Sequence, residues 1–300
     1  MSSDGKGWGR SVVIGIPYVW MAIFFLVPFL IVLKISISNS VIAAPPYEPV
    51  FATISEFFAK AGEFTSASYA RLFSESIYVE SYLSSLWIAA SSTVLMLFIA
   101  YPLAYAMARA PKAWRPTLLM LVILPFWTSF LIRVYAWIGI LAEEGLLNWL
   151  LMSIGIVDEP ITFLATTRAV YIGIIYSYLP FMVLPLYSSL EKMDDTLIEA
   201  AQDLGCTPIA AFWRVTFPLS IPGVIAGSFL VFIPAVGEFV IPDLLGGSDT
   251  VMIGKTLWEE FFNNRDWPTA SAVAISLLLI LVVPIVIFQN AQAKAQEADR

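Results

Sequence analysis

The sequence predicts an all-α integral membrane protein with six transmembrane helices and both termini in the cytoplasm. Of the 300 residues, 59% are hydrophobic and 13% are charged, and the mean hydropathy is +0.81. Soluble domains have about 45–50% apolar and about 25% charged residues, so much of this protein's surface must face lipid. The length of the apolar runs leads to the same fold class.

Six apolar runs are long enough to cross a bilayer, whose hydrocarbon core takes about 20 residues of helix. They cover approximately residues 12–35, 82–108, 117–141, 168–190, 217–242 and 269–289. Runs of this length exclude barrel strands, and only helices or closed barrels satisfy every backbone group in lipid. We therefore expect a transmembrane domain over 12–290, between a cytoplasmic N-terminal tail, 1–11, and a cytoplasmic C-terminal tail, 291–300.

The first apolar run follows Lys6 and Arg10, as the core of a secretory signal peptide does. Its uncharged stretch, 11–33, is too long for that core, and no small-residue cleavage site follows it. We expect an uncleaved first span. The run Leu146–Ile156 is too short to cross the bilayer, and we expect it at the membrane interface.

The Lys and Arg residues set the predicted orientation, because cytoplasmic loops carry an excess of both. With the N-terminus inside, nine are cytoplasmic and four are outside. The cytoplasmic residues are Lys6, Arg10, Arg109, Lys112, Arg115, Lys192, Arg214, Lys294 and Arg300, and the outer ones are Lys60, Arg71, Lys255 and Arg265. The basic turn Arg109–Arg115, which has no acid, is the strongest single indication.

The composition excludes several functions. The chain has no histidine, which removes histidine-based metal sites and Ser-His-Asp triads. A single cysteine forms no internal disulfide, and the net charge of −7 argues against nucleic-acid binding. We therefore expect neither an intramembrane enzyme nor a bound cofactor.

A polar segment of about 194–216 separates two long apolar runs and is cytoplasmic in this topology. Two acids precede a helix predicted over Thr196–Leu204, at the end where the helix dipole favours them. Gly205 ends that helix, and Pro208 begins a second short helix over Ile209–Val215. The pattern indicates a docking site for another protein, with an ordinary polar loop as the alternative.

The spacing of this segment resembles the signature of permease subunits of binding-protein-dependent ABC importers. That signature reads E-A-A, three residues, G, nine residues and I-x-L-P. The chain has Glu199-Ala200-Ala201, then Gly205, then Val215-Thr216-Phe217-Pro218. The valine and the phenylalanine replace the usual Ile and Leu with residues of similar size and polarity. The position between the fourth and fifth spans also agrees.

The resemblance implies the fold of a type I ABC importer permease in a bacterial inner membrane. It implies that 194–216, here termed the coupling segment, contacts an ATPase subunit through Glu199, Ala200, Ala201, Asp203 and Gly205. The chain lacks a G-x-x-x-x-G-K-[ST] loop, so a separate ATPase dimer would hydrolyse the ATP. The other implied partners are a second, similar permease subunit and an external solute-binding protein.

Four further strings resemble the polyamine branch of that family and are closest to its putrescine-type permease. They are V-I-L-P-F-W-T-S-F-L-I-R-V-Y-A-W (122–137), Y-I-G-I-I-Y-S-Y-L-P-F-M-V-L-P-L-Y (171–187), V-F-I-P-A-V-G-E-F-V-I-P-D-L-L-G-G (231–247) and W-E-E-F-F-N-N-R-D-W-P (258–268). The resemblance extends from Tyr18 to about Phe288 and implies that the substrate is a polyamine, putrescine or spermidine.

Residues within the spans indicate a candidate cation pathway. Glu238 lies in the predicted fifth span and Asp243 at its outer end. An ionised side chain at membrane depth costs about 2.5–3.5 kcal/mol on insertion scales, so it faces a cavity or a partner. The aromatic candidates are Trp127, Tyr135 and Tyr178, because an ammonium group over an aromatic face gains about 0.5–2 kcal/mol.

Alternatives stay open for these residues and for the function. Glu238 can instead pair with Arg133 as a structural bridge. Aromatic residues near span ends are more often interfacial belt residues than ligands. The alternative functions are a stand-alone secondary transporter or channel for organic cations, which leaves the coupling segment without a role, and an ABC permease for another small solute.

Overall fold

The computed structural model describes residues 5–51 and 53–298, and helices make up most of that length. The α-helices are, in chain order, α1 (Gly5–Met21), α2 (Val27–Ser36), α3 (Ile54–Ala59), α4 (Ala67–Ser74), α5 (Ser76–Arg109), α6 (Arg115–Ile123), α7 (Phe130–Leu141), α8 (Leu146–Ser153), α9 (Thr167–Glu191), α10 (Thr196–Asp203), α11 (Pro208–Ala211), α12 (Phe217–Val236), α13 (Val240–Leu244), α14 (Ile253–Trp258) and α15 (Trp267–Ala298). Strand β1 (Asn39–Ser40) pairs antiparallel with β2 (Tyr47–Glu48). Three π-helical turns and two 3-10 turns connect some of these helices, at Ala22–Leu26, Phe212–Thr216, Glu259–Asn263, Ala61–Glu63 and Leu124–Trp127.

These elements form two compact units, of which the first uses the chain up to Val79 and from Thr256 onward. Within it, α15 packs against α2 and α4. The hydroxyl of Tyr78 donates a hydrogen bond of 2.8 Å to the buried Glu260. Polar contacts of this kind, together with the helix packing, hold the first unit together.

The second unit, Glu80–Lys255, has its core between α5, α9 and α12. Met96, Met182 and Val231, one from each helix, are fully buried there. Small residues let helices approach closely in membranes, and a Cβ on Gly227 would lie 2.8 Å from the sulfur of Met182. Helices α9 and α12 therefore pack along each other at close range.

Four helical runs of the described chain are long and apolar enough to cross a membrane. They are Val12–Ser36, Ser76–Arg109, Thr167–Glu191 and Pro208–Val236. The first three contain or closely match the predicted spans 12–35, 82–108 and 168–190. Helix α15 covers the predicted sixth span, 269–289, but its qualifying apolar stretch among the described residues, Trp267–Val282, is shorter. Six spans with both termini inside therefore stay a prediction.

The helix predicted over 117–141 as the third span is broken in the structure. The chain bends by 88° between Arg115–Trp127 and Phe130–Leu141. Pro125 lies in the 3-10 turn before the bend, and because proline has no N–H it cannot support the α-helical hydrogen bonds of that turn. With the two halves counted as one broken span, the described residues contain up to five spans.

The fifth membrane helix begins earlier than predicted. The helical run Pro208–Val236 begins before the predicted span 217–242 and covers most of it, so Ile209–Val215 belongs to this run and is not a separate helix. A π-helical turn at Phe212–Thr216 leads directly into α12, which has Pro218 in its first turn. A proline ring clashes with the carbonyl four residues earlier in a regular α-helix, so the wider π turn lets the helix continue.

The predicted tails are helical over much of their length. Helix α1 begins within the tail predicted over 1–11, and α15 continues through most of the tail predicted over 291–300. Residues 1–4 and 299–300 of these tails lie outside the described residues. The short helix α8 agrees with a segment that is too short to cross the bilayer, and its place at the membrane interface stays a prediction.

Candidate functional site

Helix α10 of the coupling segment begins at two aspartates with different partners. Asp194 accepts a hydrogen bond of 3.0 Å from the N–H of Thr196, and this bond lowers the pKa of Asp194 below its ordinary value. Asp195 occupies the N-cap position, but its carboxylate makes no bond to the helix. It forms an ion pair with Arg109 at the end of α5. One aspartate therefore caps α10, and the other ties it to α5.

Gly205 ends α10, as the sequence predicts. Its φ of +85° lies in the left-handed region that favours glycine. The N–H of Cys206 bonds the carbonyl of Ala201 at 3.0 Å, and the N–H of Gly205 bonds the carbonyl of Gln202 at 2.8 Å, which is the Schellman arrangement. The segment is therefore a defined helix with both ends capped and not an irregular loop.

The surface of α10 is open. No residue of this helix is buried, and two large apolar side chains beside it, Leu204 and Ile209, are 87% and 74% exposed. Of the predicted docking residues, Ala201 is half-buried and the others are exposed. The exposed ones are Glu199, Ala200, Asp203 and Gly205. A capped helix next to exposed apolar side chains is the kind of surface that another protein covers.

A second cluster lies where α12 ends, before the predicted end of the fifth span. Gly237 and Glu238 lead from α12 toward the short helix α13, and Glu238 is buried. Its Oε1 accepts hydrogen bonds from the N–H groups of Val240 at 3.0 Å and Ile241 at 3.4 Å. Its Oε2 accepts from the hydroxyl of Tyr178 in α9. The carboxylate thus accepts hydrogen bonds from backbone N–H groups that the break between α12 and α13 leaves without a helical partner.

A series of aromatic side-chain contacts leads from Tyr178 to Arg133. The ring centroid of Phe181 lies 6.1 Å from that of Tyr178, and Phe126 meets Phe181 edge to face at 5.1 Å. The guanidinium carbon of Arg133 lies 4.9 Å from the centroid of Phe126. Two of its nitrogens have no hydrogen-bond partner among the described residues, and no ion pair there joins Arg133 to Glu238. The structural bridge considered for these two residues is thus absent from this structure.

The structure does not bring the other three predicted pathway residues to Glu238, as judged from the contacts of the described residues. Asp243 is exposed at its carboxylate and lies 3.9 Å from the ammonium group of Lys255. Trp127 and Tyr135 are 68% and 57% exposed, one on each side of the bend in the third span. Of the four residues predicted to line the pathway with Glu238, only Tyr178 in α9 contacts the Glu238 carboxylate.

Two residues of this cluster are not singled out by the sequence. Phe181 has a usable signal, because its i, i+3 spacing from Tyr178 puts both rings on one face of α9. Gly254 has no such sequence signal, because its role depends on which distant part of the chain it packs against. A Cβ on Gly254 would lie 2.4 Å from the carbonyl oxygen of Gly237 and 2.6 Å from that of Glu238. Glycine is therefore needed for this close approach to the break.

The chain matches the family model of the binding-protein-dependent transport system inner membrane component over residues 10–294, and it belongs to this family. The spermidine/putrescine transport system permease protein PotB of Haemophilus influenzae is 39% identical over 282 residues, 94% of this chain and 93% of that protein. The PotB protein of Escherichia coli K12 is 43% identical over 228 residues, 76% of this chain and 82% of that protein.

A solved structure has the same fold. It is a bacterial alginate ABC transporter in complex with an alginate pentasaccharide-bound periplasmic protein. Its matching chain has a TM-score of 0.70 with 17% sequence identity, over 97% of this chain and 95% of that one. The protein is thus a multi-pass component of an inner-membrane transport system and not an enzyme. Membership in this family argues against the alternative that the chain is a stand-alone transporter or channel.

The approach of Gly254 to the helix break leads to a prediction about stability. We expect Gly254→Ala to lower the midpoint of thermal unfolding in detergent, because the new Cβ must displace two carbonyl groups and overpacking costs about 1–3 kcal/mol. Gly139→Ala in α7 is the matched control, since nothing lies within 4 Å of a Cβ there. Equal midpoints for Gly254→Ala and the wild type would contradict the tight packing.

Proposed function

We propose that this chain is the permease subunit of an ATP-driven polyamine importer. It forms the translocation pathway with a second, similar permease subunit, a dimer of ATPase subunits binds on the cytoplasmic side, and a solute-binding protein docks outside. The observation that carries this proposal is the similarity, over 94% of the chain, to a permease named for spermidine and putrescine. The two candidate sites supply the chemistry that such a subunit needs.

The surroundings of Glu238 support a cationic substrate. Its carboxylate is held by Tyr178 and two backbone N–H groups, and no cationic side chain pairs with it among the described residues. A buried charge without a counter-ion is costly in a membrane, and a substrate ammonium group provides that counter-ion. The neighbouring rings of Tyr178 and Phe181 offer faces that also attract ammonium groups.

The form of α10 supports coupling to a separate ATPase. A helix that is capped at both ends and has no fully buried residue can bind a partner without first being ordered, so its binding costs less conformational entropy. The residues that contact the ATPase are Glu199, Ala200, Ala201, Asp203 and Gly205. This chain itself needs no cofactor in the proposal, because the partner subunits use the ATP.

The mechanism of the family implies the following transport cycle. The loaded solute-binding protein docks outside, and ATP closes the ATPase dimer. The closing dimer moves the coupling segments, the spans rock outward, and the polyamine enters the pathway near Glu238. Hydrolysis of ATP returns the spans to the inward-facing arrangement, from which the substrate leaves.

The coupling assignment predicts the outcome of Gly205→Asp. We expect assembly in the membrane to persist and polyamine uptake to be abolished, because the variant adds a charged side chain to the docking surface and costs about 1–2 kcal/mol at a left-handed position. Nothing lies within 4 Å of a Cβ at Gly205, so the chain itself has room for the change. Uptake of labelled putrescine by cells with all subunits is the measurement.

The matched control for this variant is Gly155→Asp. Gly155 also has a positive φ, +71°, and it ends α8 with the same pair of hydrogen bonds, from Gly155 N–H to Met152 O and from Ile156 N–H to Leu151 O. The backbone cost is therefore similar, but the position is outside the coupling segment. Wild-type uptake by Gly205→Asp, or equal loss in both variants, would refute the coupling assignment.

The substrate assignment predicts that Glu238→Gln raises the KM for polyamine uptake by about tenfold or more, since hydrogen bonds to charged groups are worth about 1.5–3 kcal/mol. Glutamine keeps the shape and an oxygen acceptor for the break between α12 and α13. The matched control is Glu260→Gln, because Glu260 is an equally buried acid that accepts from a tyrosine hydroxyl. We expect the KM of this control to stay unchanged.

Competition distinguishes the substrate class within the same assay. We expect unlabelled putrescine and spermidine to reduce the uptake of labelled putrescine, and neutral or acidic solutes to have no effect. An unchanged KM in Glu238→Gln would assign Glu238 a purely structural role. Uptake that polyamines do not inhibit would support the alternative of an ABC permease for another small solute.

A further inference from the structure

Both ends of the coupling segment contact the same part of α5, its last three turns. At the N-terminal end, Asp195 pairs with Arg109, the last residue of α5. At the C-terminal end, the ring of Phe212 packs edge to face against Tyr101 at 5.6 Å and Tyr105 at 6.1 Å. Between these contacts most residues of α10 are exposed, whereas Ala211, next to Phe212, is buried. The coupling segment therefore contacts α5 near both of its ends.

The two attachments are joined to each other along α5. The guanidinium carbon of Arg109 lies 5.5 Å from the ring centroid of Tyr105, and Tyr105 is one of the two rings that Phe212 contacts. The hydroxyl of Tyr101 is hydrogen-bonded to Ser220 of α12 at 2.8 Å. A continuous path of side chains thus leads from Asp195 through Arg109 and Tyr105 to the start of α12.

The ion pair is available for this purpose because a different residue caps α10. The carboxylate of Asp194 binds the N–H of Thr196, whereas that of Asp195 makes no bond to the helix. The side chain of Arg109 is 27% exposed, against 68% for Asp195. The arginine is therefore the fixed member of the pair, and the aspartate is the member that moves with the coupling segment.

We propose that Arg109 and Tyr105 are positioning residues that transmit displacement of the coupling segment to α5. This inference rests on the proposed coupling function and adds which helix receives the motion. When the ATPase dimer moves the exposed part of the segment, the ion pair pulls the end of α5 and the aromatic contacts move with it. Without these contacts, the segment would still bind the ATPase but would shift without moving α5.

Charge reversal in the complete complex tests the ion pair. The measurement is the ATPase activity of proteoliposomes with and without the solute-binding protein and putrescine. We expect Arg109→Asp to reduce stimulation of the ATPase by about fivefold or more, the lower end of typical coupling between sites. Basal ATPase activity and co-purification of the ATPase are expected to persist, and the double variant Arg109→Asp/Asp195→Arg is expected to recover stimulation.

Arg115→Asp is the matched control for the charge change. Arg115 lies in the same basic turn and pairs with Glu191 at 3.5 Å, but this pair does not include the coupling segment. We expect stimulation in this variant to remain within twofold of wild type, on the order of the scatter between independent sites. Equal losses in the Arg109 and Arg115 variants, or no recovery in the double variant, would overturn the role of the ion pair.

Tyr105→Leu tests the same path without changing any charge, and so it remains informative if charge reversal lowers the amount of protein in the membrane. We expect it to lose stimulation, whereas Tyr105→Phe, which keeps the ring, retains it. If Gly205→Asp loses stimulation while Arg109→Asp and Tyr105→Leu keep it, coupling is real and the transmission path is wrong. If wild-type ATPase activity does not respond to the solute-binding protein, the proposed function itself fails.

Discussion

Lipid offers no hydrogen bonds to a protein backbone, and this constraint determines where a membrane helix can stop. At the end of α12, the N–H groups of Val240 and Ile241 are met by the carboxylate of Glu238. The break can exist because a charged side chain lies within reach of it. In our proposal, the acid that completes the fold is also the group that attracts the substrate cation.

The two candidate sites are connected through the helices on either side of the coupling segment. Tyr178 lies in α9, which precedes the segment, and Glu238 follows α12, which continues from it. The run Pro208–Val236 contains 29 residues, which corresponds to a helix about 43 Å long. Because α9 and α12 pack along each other, the proposed displacement of the segment would act on both partners of the contact between Tyr178 and Glu238.

The sequence predicted the features that depend on local chemistry. A glycine after the last turn of α10 predicted the left-handed end of that helix, and the long apolar runs predicted four of the membrane helices. It did not predict the bend in the third span, because Pro125 by itself permits either a kinked or a broken helix. It also missed the continuous helix through Pro218, since a π turn has no clear sequence pattern.

The substrate residues were harder to predict than the coupling residues for a physical reason. The proposed docking residues are neighbours along the chain, so a resemblance carried by their spacing is enough to single them out as candidates. The surroundings of Glu238 come from α9, the start of α13 and the start of α14, and contacts between such distant parts of the chain are not encoded in local spacing. Gly254 is the example, because only the folded structure shows that it lies against Gly237 and Glu238.

The most direct measurement of the central claim places a photoreactive amino acid at Ala200 of the full-length protein in its native membrane. Crosslinked products are then identified by mass spectrometry, with the same probe at Ile154, an exposed residue at the end of α8, as the comparison. We predict that the probe at Ala200 captures an ATPase subunit and that the probe at Ile154 does not. An intact transport complex in which the Ala200 probe captures no ATPase would contradict the claim that the coupling segment receives the motion produced by ATP.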